Sequence, residues 1–207
     1  KAYINSTSSK GAVGAFAGRR HGWAETGKKV TFDKCFVDET VIISGKDVGG
    51  FMGSASTAAP TEVNSCYSMA KLTHFKNTEP VYMFLGANWS NSDKNSVINS
   101  YAVGDADLVP SKATVTNCYT TYEDSVLEGV KVVSYENMMG EAAKVNIPLN
   151  EYVWYVGGEG KTPQLRVFDD TLPPVERDPR AWDGSKAESL RGNGTAAEPY
   201  LISNGAE

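Results

Sequence analysis

The sequence predicts an all-β fold, and within that class a single-stranded parallel β-helix built from short repeated strands. Three observations predict it. The composition favours strands and turns, with 20 Gly and 10 Tyr among 207 residues. Two short motifs recur along the chain, V-G-x-F-x-G and V-x-x-C-Y. No long segment carries the apolar stripe, spaced three and four residues apart, that an amphipathic helix needs.

The first motif provides one part of the repeat. It runs from Val13 to Gly18 and returns 35 residues later from Val48 to Gly53. A third copy, which keeps only the last glycine, begins 33 residues further on at Val81. Because glycine permits positive φ angles and close backbone approach, these glycines predict the corners of the repeat.

The second motif provides a further strand. Its four copies, at residues 32–36, 63–67, 97–101 and 115–119, align with successive offsets of 31, 34 and 18 residues. The Val or Phe position and the Cys or Ser position would point to opposite faces of a regular strand. This predicts a bend or bulge inside the motif. The offset of 18 residues fits one short coil, and the longer offsets fit two coils or one coil with an excursion.

Stacked coils place equivalent residues above one another. We therefore expect one row of small residues and one row of aromatic residues, formed by Cys35, Cys66, Ser100 and Cys118 and by Phe36, Tyr67, Tyr101 and Tyr119. Repeat-equivalent positions indicate packing, so the cysteines are predicted to be buried apolar thiols. They do not have the pattern of nucleophiles, of a disulfide framework or of metal ligands.

The repeat pattern changes towards the C-terminus. The segment 134–145 predicts a short helix or an excursion from the coils, and residues 154–165 predict a closing hairpin. Three prolines and a dense run of charges mark residues 169–181 as a linker. The predicted organisation is therefore a β-helix at 1–168, this linker, and a further β-helical unit or terminal strand at 182–207.

Four features of the sequence resemble the GLUG-type β-helical repeats of bacterial surface and adhesin-like proteins. The V-G-x-F-x-G runs look like that family's G-L-x-G core, with Phe in place of Leu, and the V-x-x-C-Y units look like its I-x-N-C-Y strands. The segment from Trp154 to Leu165 is similar to its W…G-x-P-x-L ending. The segment from Gly194 to Ile202 is similar to its G-T-x-x-x-P-Y-x-I opening.

The resemblance implies a right-handed β-helix and a module of a larger protein of a gut bacterium, secreted or on the cell surface. Some β-helical modules attached to plant-polysaccharide-degrading enzymes bind carbohydrate, xylan included. Because Lys1 opens in the middle of the pattern, we also expect the chain to be part of a longer polypeptide. Other domains of that polypeptide are then expected partners.

Charge and motif content disfavour several other functions. The net charge is −5 without a basic patch, which disfavours nucleic acid, and no apolar run reaches the ~18 residues of a membrane span. Acidic residues fall mostly in turns and no short motif pairs them, so the protein is not predicted to be an enzyme. The turns at 105–107 and 91–93 could offer oxygen ligands to Ca²⁺, but neither resembles a complete calcium loop. We predict no cofactor.

The repeat does not explain three aromatic residues. Trp89 lies in a polar loop with Asn88 and Asn91, and Trp23 lies in a second polar loop that also follows a copy of the first motif. Tyr122 lies three residues beyond the aromatic row. Aromatic rings stack on the C–H faces of sugars and planar polar groups bind sugar hydroxyls, so these five residues form the predicted carbohydrate site. The alternative is that the tryptophans cover the edges or ends of the coils.

These observations predict a monomeric, non-catalytic carbohydrate-binding module that takes a plant polysaccharide such as xylan. The alternative function is an adhesin or structural stalk, which would bind a protein or space other domains. A stalk would use the same coils and would show no glycan binding.

Overall fold

The structure is a computed structural model that describes residues 2–7, 11–19, 28–55, 60–75, 80–86, 92–175 and 195. The chain divides into two compact units, Lys1–Asp170 and Thr171–Glu207. The strands and the helix described below all belong to the first unit. Most of its regular elements are β-strands, which confirms the prediction of an all-β fold.

The strands are short and follow one another closely. In chain order they are β1 (Ala2–Asn5), β2 (Ala12–Val13), β3 (Ala17–Arg19), β4 (Val30–Asp33), β5 (Phe36–Val37), β6 (Val41–Gly45), β7 (Asp47–Val48), β8 (Met52–Ser54), β9 (Thr61–Asn64), β10 (Tyr67–Ser68), β11 (Lys71–His74), β12 (Ser96–Ile98), β13 (Tyr101–Ala102), β14 (Thr114–Thr116), β15 (Cys118–Thr120), β16 (Val130–Val132), β17 (Trp154–Tyr155) and β18 (Gln164–Leu165). In the described residues, one α-helix, α1 (Gly140–Asn146), follows a 3₁₀ turn at Glu136–Met138. The helix predicted near 134–145 is therefore present.

Parallel pairing connects the strands into sheets. Three larger sheets have the orders β5-β10-β13-β15-β16, β4-β9-β12-β14 and β1-β6-β11, and two small ones pair β2 with β7 and β3 with β8. Every pair in these sheets is parallel. Strand order follows chain order in each sheet, so a strand pairs with the equivalent strand of the next repeat. The strands β17 and β18 form the predicted hairpin, which is antiparallel.

The register of the sheets matches the alignment of the second motif. Phe32 pairs with Val63, Val63 pairs with Val97, and Val97 pairs with Val115. The aromatic row is in register as well, through Phe36, Tyr67, Tyr101 and Tyr119. The unequal offsets in sequence thus correspond to equivalent positions in adjacent strands.

A left-handed residue forms the predicted bend inside the second motif. Its third position has a φ of 51° or 52° in all four copies, at Lys34, Ser65, Asn99 and Asn117. In each copy this residue directly follows the first strand of the motif. The change of direction lets the first position, such as the fully buried Val63, enter the main core while the aromatic position joins a second cluster.

The first motif also repeats in space. Val13 pairs with Val48, Gly49 bridges to Tyr82, and Met52 bridges to Leu85. A Cβ atom at Gly49 would overlap the carbonyl oxygen of Met52, so this glycine is required for close backbone approach. The glycines of the first motif thus provide close approach, and none of them has a positive φ. The left-handed residues of the four second-motif copies are not glycines, whereas Gly129, beside Asn117 in the register of the next strand, has a φ of 82°.

The phenylalanines of the first motif form a column through the main core. The rings of Phe16 and Phe51 lie 5.0 Å apart, as do those of Phe51 and Phe84, and both pairs meet edge to face. The Phe84 amide then donates to the carbonyl of Leu108, which is fully buried and continues the column. Phe51 and Phe84 are also fully buried, whereas Phe16 at the first repeat is 50% exposed.

A second layer covers the other face of the five-stranded sheet. The rings of Phe36 and Tyr67 stack at 4.9 Å, and those of Tyr67 and Tyr101 stack at 5.1 Å. Trp154 of the hairpin packs 5.6 Å from Tyr101, whose hydroxyl donates to the carbonyl of Pro163 at 2.7 Å. The segment after the repeats, α1 included, therefore buries the aromatic row.

The phenylalanine column gives a stability prediction. Phe51→Ala removes a fully buried ring, so we expect the free energy of unfolding to fall by about 3–5 kcal/mol. Phe16→Ala changes the equivalent, half-exposed residue and should cost clearly less. Urea unfolding of both variants measures the difference, and equal losses would contradict this description of the core.

Candidate functional site

Most of the predicted carbohydrate site lies outside the described residues. Trp23, Asn88, Trp89 and Asn91 all belong to segments that the structure does not describe. Tyr122 is described and is half-buried in the turn after β15. Its amide donates to Thr120 Oγ1 at 3.1 Å, and its carbonyl accepts from the amide of Ser125.

A cleft of about 540 Å³ lies where the chain leaves the five-stranded sheet in successive repeats. The third residue after each paired aromatic residue of the row is Glu39, Ala70 or Gly104. All three of these residues line the cleft. Tyr122 occupies the equivalent position of the next repeat but is not among the lining residues. One row of turn positions therefore contributes three of the residues that line the cleft.

Two positions of this row carry almost no side chain, and both lie in the floor of the cleft. Ala70 has only a methyl group and Gly104 has none. A Cβ atom at Gly104 would lie 2.9 Å from both Cε and Sδ of Met83, so no larger residue fits there while Met83 keeps its place. The Gly104 amide donates to Thr121 Oγ1 at 2.9 Å, which fixes this turn. The rest of the floor is apolar, with Met69, Leu72, Val81, Val103 and Ala106.

Four polar or aromatic side chains line the cleft above this floor. Glu39, Lys71 and Asp105 are exposed, and Tyr135, which precedes the 3₁₀ turn, is 46% exposed. Within the part of the chain that the structure describes, these three charged groups form no ion pair. The cleft thus offers a phenol ring, carboxylate acceptors and one ammonium donor to a ligand.

Hydrogen bonds order the turn that carries Glu39. Asp38 Oδ1 accepts from the Thr40 hydroxyl at 2.6 Å and from the Thr40 amide at 2.8 Å. These two bonds lower the pKa of Asp38, the side-chain bond having the larger effect. The turn is therefore held in one conformation with Glu39 at its exposed position.

A second groove, of about 560 Å³, follows the outer edge of β14. It is lined by residues 111–117 and 127–129, and no aromatic ring is among them. Without a ring to contact a ligand face, it is the weaker candidate for a glycan site.

Cys66 and Cys118 are buried as their repeat positions predict, whereas the prediction is wrong for Cys35, which is only partly buried in the first copy of the motif. The Cys35 amide donates to Cys66 Sγ at 3.3 Å, and the Cys66 amide donates to Ser100 Oγ at 3.0 Å, so the row of small residues is formed. Burial raises the pKa of both the Cys66 and the Cys118 thiols to about 12. These two thiols remain protonated at neutral pH and are poor nucleophiles.

Thiol labelling tests this description. With iodoacetamide at about pH 8, Cys35 should be alkylated in the folded protein because it is only partly buried. Cys66 and Cys118 should react only after denaturation. Mass spectrometry of the labelled peptides measures the order, and labelling of either buried cysteine as fast as Cys35 would contradict it.

The described residues contain no group of three or more His, Cys, Asp or Glu that could hold a metal ion. Of the two turns considered for Ca²⁺, residues 105–107 are described in full, and there Asp107 Oδ1 accepts from Ser125 Oγ at 2.5 Å. No described helix is long and apolar enough to cross a membrane.

No family model, no curated protein and no solved structure matches this chain. The resemblance to GLUG-type repeats and the function that it implies therefore stay predictions. The site residues that sequence reasoning missed are Glu39, Lys71, Asp105 and Tyr135. For Glu39 alone the repeat offers a signal, because the third position after the aromatic row changes from Glu to Ala to Gly.

Proposed function

We propose that this chain is a right-handed, single-stranded parallel β-helix that binds a polysaccharide without catalysis. It would act as a carbohydrate-binding module of a larger secreted or cell-surface bacterial protein. Strand order that follows chain order in every parallel sheet supports the coil architecture. Right-handed crossovers are the general rule for parallel strands, which supports the handedness.

The observation that carries the binding proposal is the exposed ring of Tyr135 in an open cleft with an apolar floor. A sugar ring can place its C–H face on the phenol and on this floor. Its hydroxyl groups can donate to Glu39 and Asp105 and accept from Lys71. An open cleft desolvates only part of a sugar chain, so modest affinity is expected.

Binding without catalysis is favoured because the two carboxylates are exposed to solvent. Catalytic acids and bases generally depend on burial or close charge pairing to tune their protonation. Glu39 and Asp105 have neither among the described residues. Trp89, with Asn88 and Asn91, and the loop of Trp23 are proposed as additional sugar contacts, and half-buried Tyr122 lies in the same row of turns as the cleft.

An adhesin or stalk is the second candidate, and a different observation favours it. In the described sheets, β1 to β5 all lie at a sheet edge, and Phe16 of this first repeat is half-exposed. Such an edge suits stacking of a further coil of the same repeat. A stalk of this kind would space other domains and would show no affinity for glycans.

Affinity electrophoresis in gels containing xylan, β-glucan or mannan tests the binding proposal. We expect retardation by at least one polymer, and about tenfold weaker binding after Tyr135→Ala because stacking on the ring is lost. Trp89→Ala should weaken binding similarly. Tyr152→Ala is the matched control, since Tyr152 is also exposed but does not line the cleft.

Two results would overturn the proposal. One is a protein that no polysaccharide retards, which would favour the stalk. The other is unchanged binding by both the Tyr135→Ala and Trp89→Ala variants. Release of reducing ends from the bound polymer would show instead that the module is an enzyme.

A further inference from the structure

The charges around the cleft are unequal. Among the described lining residues, Glu39 and Asp105 each contribute a negative charge, and Lys71 contributes the single positive charge. Two more carboxylates are close in the chain, because Asp38 precedes Glu39 and Asp107 follows the turn of Asp105. The described part of the cleft therefore presents more negative than positive charge to a ligand.

The tyrosines next to this region respond to the same charges. Burial, with the nearby charges of Asp38 and Glu39, raises the pKa of Tyr67 to about 12. Burial and the charge of Asp107 raise the pKa of Tyr82. Burial is the larger cause for both tyrosines, and the carboxylates of Asp38, Glu39 and Asp107 add to it.

We propose that the cleft selects uncharged glycan chains and rejects chains that carry uronate or sulfate groups. This inference rests on the proposed function, since it concerns the ligand of the same site. The carboxylates would accept hydrogen bonds from the hydroxyl groups of a neutral sugar, whereas an anionic group would have no hydrogen to donate and would be repelled.

The size of the effect follows from the charges. Two like charges about 6 Å apart in water at low salt repel enough to weaken binding about threefold. Two carboxylates together then weaken the binding of an anionic chain about tenfold, and the positive charge of Lys71 offsets part of this loss. The discrimination should shrink at about 1 M salt, where the Debye length is about 3 Å, whereas binding of a neutral chain should barely change.

The test compares linear xylan with polygalacturonate by calorimetry at low and high salt. The wild-type protein should bind xylan and bind polygalacturonate about threefold more weakly at low salt. The double variant Glu39→Gln/Asp105→Asn keeps the size and one acceptor oxygen of each group. It should gain about tenfold in relative affinity for polygalacturonate at low salt.

A second double variant, Glu151→Gln/Glu159→Gln, is the control. It changes the net charge by the same amount at two exposed positions that do not line the cleft, and it should leave the preference unchanged. Equal wild-type affinity for both polymers, or a control that matches the cleft variant, would overturn charge selection while polysaccharide binding stands. If the wild-type protein binds no polysaccharide at all, the proposed function fails and this inference fails with it.

Discussion

One residue with a left-handed backbone lies inside each copy of the second motif, and the sheets on both sides depend on it. None of the four is glycine, although a left-handed conformation costs other residues roughly 1–2 kcal/mol. Two of them are asparagines, which tolerate it best. Their side chains also stack, since Asn117 Nδ2 donates to Asn99 Oδ1 at 2.8 Å. Stacking of equivalent residues thus offsets part of the local strain.

The left-handed bend also explains why each copy of the second motif contributes side chains to both the main core and the second cluster. Before it, Val63 and Val97 enter the main core, and after it Tyr67 and Tyr101 face the second cluster under Trp154. The turns that line the cleft begin where the aromatic strands end. The cleft therefore depends on the bend indirectly, because the bend sets where each aromatic strand and the turn after it lie.

The repeat architecture could be predicted from the sequence because stacking requires similar residues at equivalent positions. The alignment of both motifs and the two rows of side chains followed from this rule. The fourth member of the phenylalanine column, Leu108, was missed because its segment keeps neither the phenylalanine nor the glycines. The bend in the second motif was predicted but could not be placed, since Lys34 and Ser65 carry no sequence signal for a left-handed conformation.

The cleft could not be predicted because its residues come from unrelated parts of the pattern. Glu39 and Asp105 lie in turns of different repeats, and Tyr135 belongs to the segment after the repeats. Small residues, Ala70 and Gly104, line the same cleft, and Gly104 leaves room for the side chain of Met83. The sequence motifs indicated the segments around Trp23 and Trp89 as the carbohydrate site, and these segments lie outside the described residues.

Glycine and valine variants at Lys34 and at Thr31 test the central role of the left-handed bend most directly. The quantity compared is the free energy of unfolding of each variant. Lys34 has a φ of 51°, so Lys34→Gly should be more stable than Lys34→Val by about 1–2 kcal/mol. Both variants lose the exposed contact of Lys34 with Asp33, which therefore cancels. At Thr31 in the extended strand β4 the order should reverse, with Thr31→Val more stable than Thr31→Gly. Urea unfolding of the four variants measures this, and the same order at both positions would contradict the account.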